Sequence, residues 1–459
     1  MTYSKKLIYS FFILPALLTA CSGQTNTGLM PEVQMDAFSK EGEVPVPDRW
    51  WTVFGDEHLN ATIDSALISN FDLQTAWYRF REAQAIKRRE ASSFFPGVDA
   101  MAAAETFSPE SASGSNSEFQ AGLMAEYEVD LWGKLRSSAD AEQFRANASY
   151  YDYQTAALSI SAEIVYTWFQ MAEANARSEV ISQQVNTNKQ VLELIRSRFG
   201  SGQIRRVDIL RQEQLLEATR EQLIYTELRR DVLENQLAVL MGRTPEYGIS
   251  FSVTGMPEIL PLPETGIPSE LVQRRPDVRR AFDLVRAADR DLATAISSQY
   301  PRISLTASIS SSGNEAGSLF EDWMRTFAGN LIAPVFRGGE LKAEKSRAEA
   351  VKNQQVYFYG QTVLNAFREV EDALIQEKRQ KQAVRSIERQ LRLARETNEQ
   401  IKNAYFNGVI SYLDVLNALN EEQQLQREVL SEKLTLIEYR IALYRALAGG
   451  FDTPLEEAE

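Results

Sequence analysis

"GSGQIRRVDIL" occupies residues 200–210 and "FNGVISYLDVL" occupies residues 406–416, 206 residues further on. Gly202 aligns with Gly408, Ile204 with Ile410, Asp208 with Asp414 and Leu210 with Leu416. Each stretch reads as a glycine that ends one helix and an aspartate that starts the next. Glycine tolerates the left-handed conformation found after a helix C-terminus, and a carboxylate suits the positive first turn of the helix that follows. Writing the same reversal twice implies a duplicated unit.

The match extends well beyond the turns. Asp72-Leu73-Gln74-Thr75-Ala76 resembles Asp277-Val278-Arg279-Arg280-Ala281, Phe95-Pro96 pairs with Tyr300-Pro301, and Gly133-Lys134-Leu135 pairs with Gly339-Glu340-Leu341. Two units result, at 56–242 and 262–448, with a linker at 243–261 and a tail at 449–459. Their period is far above that of short solenoid repeats, so this is a duplicated half-domain.

Each half changes its hydrophobic period in the same order. A first helix stops before Pro96, because Phe95 precedes a proline and is pushed out of the α region. Period two follows. Phe119, Ala121, Leu123, Ala125, Tyr127 and Val129 alternate with Gln120, Gly122, Met124, Glu126, Glu128 and Asp130, and Ile303, Leu305, Ala307 and Ile309 alternate with Ser304, Thr306, Ser308 and Ser310. Two hairpins are expected, at 98–130 and 302–336, with turn-rich loops such as "SPESASGSNS" at 108–117. Pro334 favours the end of a strand.

Proline is then absent from 137–199 and from 340–405. Val363, Phe367, Val370, Leu374, Val384, Ile387 and Leu391 recur at coiled-coil spacing, with Glu377 and Lys381 interrupting the seam. A helix of about 65 residues would be about 100 Å long, and a return helix follows each glycine turn. The fold class is therefore mainly α with a membrane-type β part, in duplicated half-units.

The 459 residues carry a net charge of −14, which argues against a nucleic-acid binder. One histidine (His58) and one cysteine (Cys21) leave little room for a zinc site or a histidine-based catalytic set, so no enzyme, metal site or soluble cofactor is expected. Lys5 and Lys6 precede an apolar run, Leu7 to Leu18, too short to span a bilayer. Leu18-Thr19-Ala20-Cys21 then resembles the bacterial lipoprotein box, making 1–20 a signal peptide, Cys21 the lipid (palmitate) attachment point and 21–55 a lipidated lead-in. That resemblance also implies the outer membrane as destination, because Ser22 stands where an aspartate would favour inner-membrane retention. No later apolar run is long enough for a transmembrane helix, so spanning requires strands. Strands of about ten residues cross a bilayer when tilted, but four cannot close a membrane barrel.

Residues 49–59 (RWWTVFGDEHL), 127–136 (YEVDLWGKLR), 274–281 (RRPDVRRA) and 333–343 (APVFRGGELKA), with the two turns, resemble the TolC-like outer-membrane factors of tripartite efflux pumps. The resemblance is to the lipidated branch that serves resistance–nodulation–division pumps, and it covers nearly the whole mature chain. It implies a homotrimer whose twelve strands form one β-barrel in outer-membrane lipid, continuous with an α-helical tunnel across the periplasm. It also implies a periplasmic adaptor and an inner-membrane transporter as partners, with small molecules as cargo. Asp414 then falls at the periplasmic aperture, with Asn417 where many members have aspartate and Asn420 where relatives often have a basic residue. Gly202, Asp208, Gly408 and Asp414 mark the adaptor-docking turns, with helix starting as the competing role for both aspartates. If Phe119, Leu123 and Tyr127 face lipid, Glu126, Glu128 and Asp130 face the lumen as an acidic zone. A TolC-like duct for protein secretion and a lipid-anchored coiled-coil scaffold are the alternatives.

Overall fold

The computed structural model describes residues 38–39, 42, 44–107, 116–245, 256–258, 261–266 and 268–457. The leader at 1–20, Cys21, the loop at 108–115 and most of the linker at 243–261 lie outside them. In the first half, helices α1 (Glu57–Ser69) and α2 (Phe71–Ala91) lead to strands β1 (Gly97–Phe107) and β2 (Asn116–Val129). The 67-residue helix α3 (Lys134–Gly200) and its return helix α4 (Arg206–Leu240) complete it. The second half repeats the order: α5 (Pro268–Arg274), α6 (Pro276–Ser297), β3 (Arg302–Gly313), β4 (Met324–Ile332), then α7 (Glu340–Phe406), again 67 residues, and α8 (Tyr412–Leu447). A short helix, α9 (Pro454–Glu457), closes the chain. This is the mainly helical, duplicated architecture expected. Among the described residues, no helix is long and apolar enough to cross a membrane.

The chain divides into two compact units. One holds Val98–Ala141 and Val285–Gly360; the other holds the described residues up to Gly97, Glu142–Leu284 and the chain from Gln361 onward. In the first unit the strands form one sheet in the order β1-β2-β3-β4. The two hairpins expected from sequence are thus joined edge to edge. β2 and β3 pair antiparallel from Phe119 opposite Gly313 to Val129 opposite Ile303, and β4 continues the ladder from Met324 to Ile332. β4 stops short of residue 336: Pro334 has no N–H for the ladder, and Ala333 to Phe336 leave the sheet.

In the second unit an aromatic core gathers Trp50, Trp51, Trp77, Tyr153, Trp168, Tyr444 and Phe451, all buried. Trp50 stacks near Tyr444 and donates its indole N–H to the Ser161 hydroxyl at 3.2 Å. Asp56 starts α1 by accepting the N–H groups of His58 and Leu59 (2.9 and 3.1 Å), while its other oxygen takes the Trp168 indole N–H at 3.0 Å. The "FGDEHL" segment is therefore a corner that pins the N-terminal lead-in to α3. Arg275, in "RRPD", is a second corner, bonded to Asp277, Glu369 and the Ala446 carbonyl at 2.7, 2.8 and 3.3 Å.

Candidate functional site

Strand register decides what each face of the sheet presents. Leu123 lies opposite Ile309, Tyr127 opposite Leu305, Ile303 opposite Leu331 and Ala307 opposite Phe327. Side chains alternate across a strand, so these residues share one face. Phe327 is 77% exposed and Leu331 69%, with none of the described residues covering them. A contiguous exposed apolar surface of this kind marks a partner or a membrane. The opposite face carries Gln120, Glu126, Glu128, Ser304, Thr306, Ser308, Ser310 and Asn330.

The acidic zone expected on that polar face is smaller than the sequence alternation implies. β2 ends at Val129, so Asp130 is not a strand residue. Its carboxylate instead accepts the backbone N–H groups of Leu135 and Arg136, both at 3.0 Å, and so starts α3. Glu128 is neutralised by Lys134 at 3.2 Å and Arg302 at 3.8 Å. Of the three expected acids, Glu126, opposite Thr306 and exposed, is the strand residue with no ion pair among the described residues. Beside this corner Trp132 stacks on Tyr300 with ring centroids 5.0 Å apart and donates to the Pro301 carbonyl at 2.7 Å.

The two helix reversals share one backbone solution. At the first, the N–H of Gly202 bonds the Phe199 carbonyl and that of Gln203 bonds the Arg198 carbonyl, at 2.9 and 3.0 Å. At the second, Gly408 bonds Tyr405 and Val409 bonds Ala404, both at 3.0 Å. The glycines sit at φ +73° and +74°, completing the left-handed helix stop in which two orphan carbonyls are satisfied at once. Asp208 then accepts the Arg205 N–H at 3.3 Å, and Asp414 accepts the Ser411 N–H at 3.0 Å and the Ser411 hydroxyl at 2.7 Å. Both aspartates are helix starters.

Their surroundings differ. Asp208 is 3% exposed, beneath Arg205 and Arg211, at 3.5 and 3.9 Å. Its carboxylate is buried against its own helix start, so at this turn it shapes the backbone and presents no free charge. Asp414, Asn417 and Asn420 are all exposed, on one stripe of α8 whose other side buries Tyr412, Val415, Ala418 and Leu419.

Just inside the turns lies a buried polar layer that the sequence reading missed. Tyr412 donates to Gln212 at 2.6 Å, Gln212 to the Asn188 carbonyl at 2.9 Å, and Asn188 to Thr219 at 2.9 Å; Asn188 and Gln423 exchange amide bonds at 3.0 and 3.2 Å. Burial pushes the Tyr412 hydroxyl up, so it remains a donor. Each residue is an ordinary interruption of a heptad, and no local signal shows that they meet.

The sequence profile described as outer membrane efflux protein matches twice, at residues 62–243 and 267–449. The chain is 31% identical to the outer membrane protein OprJ of Pseudomonas aeruginosa, covering 88% of this chain and 86% of that one. It is 30% identical to the solvent efflux pump outer membrane protein SrpC of Pseudomonas putida, over 87% and 86%. Identity to the pyoverdine export outer membrane protein OpmQ of Pseudomonas aeruginosa is 28%, over 88% of each. Among solved structures, a membrane protein of Pseudomonas aeruginosa superposes with a TM-score of 0.83 at 27% identity, covering 91% and 99%. The open state of the Neisseria gonorrhoeae MtrE outer membrane channel does so with 0.80 at 25%, covering 92% and 98%. With helix reversals and amphipathic sheet in duplicate, the chain belongs to the outer membrane efflux protein family and is an outer-membrane channel of a tripartite efflux pump.

Proposed function

We propose that three copies of the chain close a single twelve-stranded barrel, with the apolar sheet face in lipid and the Ser/Thr-rich face lining the passage. The observation that carries this is the sheet itself: four strands, a mostly apolar face interrupted at one end by Ser311 and Arg325, and β1 and β4 each with a strand neighbour on one side only. An unpaired edge is not tolerated in hydrocarbon, and membrane barrels begin at about eight strands. The β4 edge of one copy meeting the β1 edge of the next, head to tail around a symmetry axis, removes the problem.

The channel in this reading is the exit duct for small molecules delivered by a periplasmic adaptor and an inner-membrane resistance–nodulation–division transporter, and it does no chemistry itself. Relatives named for pyoverdine export and for solvent efflux are about equally similar to it, which supports cargo being chosen elsewhere in the pump. Three Asp414 side chains, with Asn417 and Asn420, form the periplasmic aperture; like charges near an axis repel one another and attract cations. Cys21 carries the lipid anchor, and the turns at Gly202 and Gly408 receive the adaptor.

Purified from outer membranes in mild detergent, the chain should run as a heat-modifiable trimer and give stepwise conductance in planar bilayers. Monomers that bind bilayers without conducting would end the proposal.

A further inference from the structure

The two reversal turns share a backbone and differ in charge. Between 196 and 213 stand Arg196, Arg198, Arg205, Arg206 and Arg211 against Asp208 and Glu213; the aligned window 402–419 holds Lys402 against Asp414. Folding sharpens the contrast. At the first turn the acids are withdrawn: Asp208 is buried and Glu213 is bound to Arg196 at 2.6 Å. Arg198 lies over the Tyr405 and Phe406 rings, 5.2 and 4.8 Å from their centroids, and so is held against the second turn. The Arg205 side chain is 72% exposed, and Arg206 is exposed with no ion pair among the described residues. At the second turn the positions aligned with them are Ser411 and Tyr412, and Asp414 is exposed. No lysine or arginine occurs from 403 to 426.

Arg205 covers the buried Asp208 at 3.5 Å, but nothing else in the fold asks for two arginines there. They open α4, where the helix's own field favours acids and disfavours cations. Exposed guanidiniums are forks suited to carboxylates, and a patch of one sign selects a partner of the other. The chain as a whole is acidic, so this patch is a local reversal of its sign.

We propose that the Arg205–Arg206 turn is the electrostatic half of the adaptor dock and takes carboxylates of the adaptor, while the Gly408 turn, with no lysine or arginine of its own from 403 to 426, docks without such charge pairing. The proposal rests on the tripartite reading above. In a trimer it makes six similar turns into two alternating kinds, so that adaptors around the ring meet basic and non-basic seats in turn.

The test uses the full-length trimer in detergent and two fluorescent helical-hairpin peptides, one with three glutamates at its turn and one with three glutamines. The glutamate peptide should bind, and weaken by about tenfold or more when salt rises from about 50 to about 300 mM. Arg205→Glu with Arg206→Glu should weaken it at least about tenfold, and the paired Arg→Lys variant should stay within about threefold, as charge pairing requires. Equal binding of both peptides, binding of neither, or indifference to charge reversal would overturn the proposal. So would arginine-dependent capture of phosphatidylglycerol vesicles without peptide binding, which would make the patch a lipid reader. Bilayer conductance of the same samples reports the channel reading separately. Conducting trimers that ignore the glutamate peptide defeat only the dock; non-conducting protein defeats the channel.

Discussion

Arg440 meets Glu377 through two parallel hydrogen bonds, from Nε at 2.8 Å and from Nη2 at 2.7 Å, with both side chains 2% exposed. Lys381 adds a contact at 2.6 Å, and Arg440 also holds the Pro261 carbonyl at 2.9 Å, tying α7, α8 and the inter-repeat linker together. Desolvation opposes such a pair, and breaking it leaves a buried charge alone. Arg440→Met should therefore destabilise by about 3–5 kcal/mol, whereas Glu377→Leu with Arg440→Met should recover most of that loss. Thermal unfolding of the detergent-solubilised protein measures both. A double variant as weak as the single one would mean that the pair itself, and not the orphaned charge, is what matters.

The same pair has a pH signature. Burial alone would raise the Glu377 carboxyl, but the hydrogen bonds and charge of Arg440, with Lys381, outweigh it and hold the group below its ordinary value near 4.5. A depressed carboxyl contributes its stability above the unfolded value and loses it as pH falls through the lower folded one. Wild type should thus lose stability below about pH 4.5 more steeply than the Leu/Met double variant, read as midpoints across a pH series.

Glycines at three helix ends should rank by what surrounds them. Gly202 and Gly408 need only their positive φ, since an added Cβ would meet nothing within 4 Å, so alanine at either should cost about 1–2 kcal/mol. Gly242 also has positive φ, at +66°, but its Cβ would sit 2.2 Å from the Ser69 carbonyl oxygen. Backbone cannot yield there as a side chain would, and Gly242→Ala should lose a further 1–3 kcal/mol, roughly the cost of overpacking. Equal midpoints for the three variants would contradict the close approach of α1 to the end of α4.

Asp130 and Glu126 separate scaffold from passage. Asp130→Ala removes the acceptor of two helix N–H groups and should cost about 1 kcal/mol without changing ion preference. Glu126→Gln should leave stability within about 0.5 kcal/mol, as exposed substitutions do, and reduce cation preference if the polar face lines the conduit. Reversal potentials in a salt gradient decide it; an unchanged potential for Glu126→Gln would place the acid off the ion path.

These contrasts show what the amino-acid pattern can and cannot express. The duplication is legible because a helix reversal demands glycine at one position and rewards an acid at another, so Gly202/Gly408 and Asp208/Asp414 mark it twice. The apolar sheet face is legible because period two is local. The β2–β3 pairing is not, since Tyr127 and Leu305 lie far apart in the chain and alternation names no partner. Asp130 keeps the alternation one residue past the strand, where hydrogen bonding has already turned to the helix. Glu377 shows as a break in the seam of α7, yet its partner Arg440 lies 63 residues away on α8, and only packing brings them together. Charge at the turns is legible in composition, but burial of Asp208 and exposure of Asp414 are decided by which side of each helix faces the neighbouring helices.

Asp414 has two roles to separate. Asparagine keeps an acceptor for the Ser411 N–H, so Asp414→Asn should hold stability within about 0.5 kcal/mol, while Asp414→Ala should lose about 1 kcal/mol as a lost cap does. If three such carboxylates ring the aperture, both variants should lower cation preference alike. Conductance that follows stability, changed by alanine and untouched by asparagine, would leave Asp414 a helix starter only.

The C-terminal tail supplies the last contrast in pH. Glu456 accepts hydrogen bonds from Gln154 at 2.5 Å, Thr453 at 3.2 Å and Tyr150 at 3.3 Å, while the Phe451 N–H bonds Gln154 at 3.0 Å, so the tail is fastened to α3. Burial raises the Glu456 carboxyl above 4.5, more than those hydrogen bonds lower it, and Asp452 adds to the rise. Burial likewise pushes the Tyr150 hydroxyl up to about 12, which keeps it a donor throughout. A carboxyl raised in the folded state stabilises fully below its unfolded value and loses that contribution as pH climbs through the folded one. Hydrogen exchange over residues 449–457 should therefore be more protected, after correction for intrinsic rates, near pH 4.5 than near pH 8. In Glu456→Gln, which mimics the protonated acid, protection should be high and independent of pH. Protection in wild type that rises with pH would mean that the ionised carboxylate is what the tail needs, and would reverse the sign argued from its burial.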